Sequence, residues 1–79
     1  MWQVFVSKGI IHIKSTNEQK NETGGLVQVV NLSGQVLYSE HVNRFNESEI
    51  PFNTQENGIY FVRLISDELV VSKKIMTIN

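Results

Sequence analysis

Cysteine is missing altogether, and proline occurs once, at Pro51. Without cysteine there is no disulfide and no thiolate metal site, so the usual reinforcement of small secreted domains is excluded. At 79 residues the chain makes one domain. A domain of this size buries only roughly 60% of the surface its unfolded state exposes, so its core is thin. An excess of either charge is missing too: seven basic side chains stand against eight acidic ones, for a net charge of -1. They are spread along the chain, without the basic stripe by which nucleic acid or an anionic membrane surface is bound. No run approaches the roughly 18 apolar residues of a membrane helix, and direct membrane insertion is not expected. The opening MWQVFVSKGIIHI lacks the basic start, continuous apolar stretch and small-residue cleavage site of a signal peptide. Any export address is therefore expected on upstream sequence, with residues 1–79 as the C-terminal part of a larger exported protein.

What is present is period-two alternation of β-branched and aromatic residues in short runs, with no apolar stripe at helical spacing. The class is all-β. Strands are expected at Trp2–Val6, Gly9–Ser15, Leu26–Asn31, Gln35–Val42, Glu47–Phe52, Ile59–Ser66 and Leu69–Ile78, and about seven antiparallel strands at this spacing make a two-layer β-sandwich. The stretch STNEQKNETGG reads as an exposed loop, NLSGQ as a hairpin in which Gly34 supplies positive φ, and PFNTQENG as a longer crossover. Pro51 cannot donate to a ladder, so its strand belongs at an edge or ends there. Alternation puts Tyr60, Val62 and Leu64 inward, with Arg63 opposed, and groups Val27 with Val29. The last strand resists such a division, because Lys73 falls in one register and Lys74 in the other. Either the strand bulges there, or one ammonium reaches past the core along its aliphatic stem.

Groups able to carry chemistry are few. His12 and His41 fall on different strands with no carboxylate at metal-ligand spacing, so no metal or other cofactor is expected. No nucleophile stands on a Gly-x-Ser-x-Gly turn, and Ser33 reads as a turn residue. Glu47 and Glu49 share one strand face and imitate a paired-carboxylate site, but a solvated face is the better reading without a cleft. No catalytic residue is assigned. Three Asn-x-Ser/Thr triplets begin at Asn21, Asn31 and Asn46, and asparagine-rich loops account for them without glycosylation.

The order of motifs is more specific. VQVVNLSGQVL is followed after about twenty residues by NGIYFVRL, and then by a last strand containing KKI. This resembles the C-terminal sorting domain of the type IX (Por) secretion system over about Val27 to Asn79. The family carries an Asp-Leu-x-Gly hairpin followed by a basic residue, a Gly-x-Tyr strand and a terminal Lys-Lys strand. Here Asn31 stands for the aspartate and Gln35 for the basic residue. The prolines of the family's usual Tyr-Pro-Asn-Pro opening are absent from VFVSKGIIHI.

The resemblance implies a small immunoglobulin-like sandwich that carries an upstream cargo in the same chain out of the cell. The cargo would pass the periplasm, be recognised by the outer-membrane secretion machinery, and end at the cell surface or outside, often after a sortase-like peptidase removes the signal. On this reading Gly34, Gly58 and Tyr60 shape the fold, with Tyr60 anchoring a corner. Lys73, Lys74, Ile75 and Asn79 are the candidates for translocon recognition, as exposed charge or as a strand edge that a partner extends. The alternative is an immunoglobulin-like or fibronectin-like spacer or binding module. A carbohydrate-binding form would need exposed aromatics in a row, drawn from Trp2, Phe5, Phe45, Phe52 and Phe61.

Overall fold

The computed structural model describes residues 2–15, 24–52, 57–67 and 70–78. Seven strands follow in order: β1 (Trp2–Ser7), β2 (Ile10–Ser15), β3 (Gly25–Val30), β4 (Val36–Val42), β5 (Ser48–Pro51), β6 (Gly58–Ile65) and β7 (Val70–Thr77). Each lies within one or two residues of its expected place. They form a three-stranded sheet, β1-β2-β5, and a four-stranded sheet, β4-β3-β6-β7, with every pairing antiparallel. This is a small β-sandwich with the first, second and fifth strands in one layer; it differs from the seven-strand immunoglobulin constant arrangement in that the fourth strand pairs with the third, in the other layer. Strand β1 lies against β7 where the two layers come together.

The inner faces interdigitate as the alternation requires. Ile11 and Ile13 of β2, Val27 and Val29 of β3, Ile50 of β5, and Val62 and Leu64 of β6 are sealed from solvent. Each contributes about 1.5–3 kcal/mol by leaving water. Strand β5 is a four-residue edge strand ending at Pro51, where the missing N–H leaves no gap in a ladder.

Turn chemistry sets the registers. Lys8 and Gly9, with φ of 54° and 76°, meet the requirement of a type I′ turn for positive φ at both central residues, and Ser7 then pairs with Ile10. In the β3–β4 hairpin the Asn31 side-chain oxygen accepts from Ser33 N (3.1 Å), Ser33 Oγ (2.8 Å) and Gln35 N (2.9 Å). Gly34, at φ 89°, adopts a conformation that side chains resist. The register shifts between Val29 and Val30, so β4 carries one extra residue there. The oxygen is what organises this turn, so Asn31→Ala is expected to cost about 1–2 kcal/mol. Asn31→Asp keeps the acceptor and is expected to cost less than about 0.5 kcal/mol. Urea denaturation of the two variants measures the difference.

A segment with no strand periodicity completes the core. Between β4 and β5 the chain folds under the sandwich and inserts Phe45, which is fully buried and meets Trp2 edge-on at 5.7 Å. Glu47 N donates to Ile13 O (2.7 Å), Ser15 N to Asn46 Oδ1 (2.7 Å), and Ser48 Oγ to Arg44 O. The first two bonds pin the segment across to β2, and the third closes the segment's own turn. It fits because Gly24 and Gly25 have no side chains. A Cβ at 24 would overlap the Asn43 carbonyl, and one at 25 would overlap the Ile65 carbonyl and sit 3.2 Å from Phe45 Cζ.

Candidate functional site

The β6–β7 hairpin gathers most of the residues singled out from the sequence. Its ladder is regular from Gly58↔Thr77 to Ile65↔Val70, so β7 carries no bulge and the lysine parity has a simple resolution. Val71, Lys73, Ile75 and Thr77 face inward, while Val70, Ser72, Lys74 and Met76 face solvent. Lys73 is half-buried opposite Val62. A lysine is tolerated at such a position because its aliphatic stem can lie on apolar surface while the charged end reaches water. Lys74 is exposed and stands directly across from Phe61. Ile75 is in the core opposite Tyr60, so its side chain meets a partner only if β7 peels away. Asn79 lies outside the described residues.

Of the shape-forming positions, Tyr60 is buried near the start of β6. It packs edge-on against Phe52, the residue just after β5, with ring centroids 5.4 Å apart. Gly34 is required by its φ, as above. Gly58 is different: a Cβ there would make an ordinary 3.8 Å contact with the Tyr60 ring, and its φ is not in the left-handed region. Gly58→Ala is therefore expected to leave stability unchanged or raise it by up to about 1 kcal/mol, read as the shift in the urea midpoint. Gly58 lines a shallow depression together with Asn31, Leu32, Asn57, Ile59 and Tyr60, so the NLSGQ and NGIY segments meet there.

Other candidate groups do not converge. His12 and His41 occupy the outer faces of different sheets, on opposite sides of the sandwich. His12 stacks on Phe5 at 4.9 Å and lies 3.8 Å from the Glu49 carboxylate, which is mostly exposed; a pair this accessible contributes little. Glu47 does not share a strand face with Glu49. It sits in the turn before β5 at φ 65°, because that turn aims Phe45 into the core. On β4 the Tyr38 hydroxyl is raised above its ordinary value of 10.0, by burial first and then by its hydrogen bond to Glu40 and that group's charge.

The aromatic platform expected of a carbohydrate-binding form is not assembled. Trp2, Phe45 and Phe52 belong to the core, because a domain this small uses its largest side chains to fill it. Phe5 and Phe61 stand on the outer faces of opposite sheets. The two described asparagines of the Asn-x-Ser/Thr triplets, Asn31 and Asn46, use their amide oxygens to hold turns; Asn21 lies outside the described residues.

Compared with known proteins, the chain is matched over residues 7–79 by the model of the secretion system C-terminal sorting domain, the signal of type IX secretion. The chain belongs to this sorting-domain family. The match reaches upstream of the hairpin motifs to Ser7, the last residue of β1, and takes in SKGIIHI of the segment without the two prolines. No curated protein and no solved structure matches the chain. Sorting domains are export signals, not enzymes, and the family implies dealings with the type IX machinery and a cargo in the same chain. Its direction is toward the cell surface or the extracellular space.

Proposed function

We propose that residues 1–79 are one sorting domain at the C-terminal end of a larger exported protein. It directs the upstream cargo from the periplasm through the outer-membrane translocon and on to attachment at the cell surface, with removal by a sortase-like peptidase as the final step. The observation that carries this reading is the family match across nearly the whole chain. Within it, recognition uses Lys74 as exposed charge, together with the half-buried Lys73 beside it on the terminal strand of the sheet. Ile75 contributes by packing β7 onto the core, and Asn79 is a further recognition residue.

The test is a periplasm-directed reporter fused ahead of this chain in a type IX-competent host. The native tail is expected to bring the reporter to the surface, and Lys74→Glu to reduce surface display about tenfold, the effect of ~1.4 kcal/mol at the recognition step. Deleting Ser72–Asn79 also removes Ile75 and Thr77 from the core, so loss of export in that variant has two explanations. Unchanged export in it would sink the proposal.

A further inference from the structure

The two outer faces of the sandwich differ in kind. Antiparallel sheets with one face on the core normally turn polar residues outward. The three-stranded sheet mostly does so: Gln3, Ser7, His12, Lys14 and Glu49 face outward, with Phe5, Ile10 and Pro51 as its apolar outward positions. Outward rows of the four-stranded sheet instead read His41, Leu26, Ile65, Val70; then Ser39, Gln28, Arg63, Ser72; then Val36, Val30, Phe61, Lys74; with Ile59 beside Met76 at the end. Val30 is only 7% exposed although no layer covers it, because its apolar neighbours close over it. Its neighbour Val36 is 45% exposed, and on β7 Val70 and Met76, at the two ends of the face, are 72% and 60% exposed.

The charges of this face have one sign. Its titratable side chains among the described residues are His41, Arg63 and Lys74, with no carboxylate in any of the four rows. Strand spacing and rise make the face roughly 15 Å by 25 Å. That is about 400 Å², against roughly 800 Å² for each side of a stable interface. A second copy would bring like charges together, which disfavours self-association. Two apolar rows flank a polar middle row that carries Arg63, and fixed cations beside apolar strips complement an acidic protein surface with apolar side chains at its rim. The small area suits a contact that forms and releases.

We infer that the outward face of β4-β3-β6-β7 is the docking surface for an acidic protein of the export machinery, bound through Phe61, Met76, Arg63 and Lys74. This rests on the sorting function proposed above and names its recognition surface. The terminal lysine pair then has two roles, since Lys74 lies on this face and Lys73 does not.

Site-specific photo-crosslinking during export of the reporter fusion tests it. A benzophenone side chain replaces Met76 or Val70 on this face, or Phe5 on the opposite one, and each variant's fold is verified by circular dichroism. Expected are adducts from positions 76 and 70 to a secretion-machinery protein that is acidic at the attached surface. Adding Lys74→Glu should reduce them at least about tenfold, as loss of a favourable charge contact does, while Lys74→Arg should preserve them. Adducts to lipid, to a second copy of the fusion, or equally from position 5 would overturn the inference. If the unsubstituted fusion reaches the surface but positions 76 and 70 give no adduct, the docking face alone fails. If the unsubstituted fusion stays in the periplasm, the sorting reading fails with it.

Discussion

Phe45→Ala is expected to lower the stability of the domain by about 3–5 kcal/mol, the largest effect of any single truncation in this chain. The side chain is fully buried and supports Trp2, and it enters from a segment pinned to β2 immediately after it, at Asn46 and Glu47. Neighbouring strands cannot collapse into the space it leaves without breaking those bonds. A domain of this length has a total stability of about 4–12 kcal/mol, so the loss is a large part of the whole. Urea denaturation followed by circular dichroism should show a much lower midpoint at nearly unchanged slope, since the surface exposed on unfolding changes little. Phe45→Leu, which keeps an apolar plug, should fall between the two. A midpoint within error of the parent would mean that Phe45 is not the keystone of this end of the sandwich.

Gly25→Ala is expected to cost about 1–3 kcal/mol, for a different reason. Gly25 begins β3, the strand between β4 and β6, and a Cβ there would be driven into the Ile65 carbonyl. Backbone, not a flexible side chain, stands in the way, so relief requires shifting a central ladder. The same Cβ would press on Phe45, which couples the two positions. In the Gly25→Ala, Phe45→Ala double variant the losses should be less than additive, because the emptied aromatic site gives the new methyl room. Strict additivity, or a Gly25→Ala variant as stable as the parent, would show that this approach of backbones is not tight.

These two positions mark where sequence and structure part. The strands and most of their inward faces are legible, because a half-buried strand must alternate and Tyr60, Val62, Leu64, Val27 and Val29 do so cleanly. Phe45 has no such signature: a single aromatic in a polar connection looks the same whether it points out or plugs the core. Gly24 and Gly25 announce a loop by composition, but their purpose depends on Asn43 and Ile65, which are distant in sequence. Lys73 and Lys74 are ambiguous because each spoils one register, and the regular β6–β7 ladder supplies what alternation lacks. The apolar outward face was hidden for a related reason. Leu26 and Val30 on β3, Phe61 on β6 and Met76 on β7 are each a modest departure from alternation, and become one surface only when the registers align the three strands. The family motifs divide by the same parity. Tyr60, Val62 and Leu64 of NGIYFVRL go into the fold, while Phe61 and Arg63 are left outside for a partner.

Export itself is the most direct measurement. A reporter carrying this chain at its C-terminus should become accessible to added protease on intact type IX-competent cells, and should remain protected in the same host without its translocon. Protection in both hosts, with the tail shown to be folded, would contradict the account.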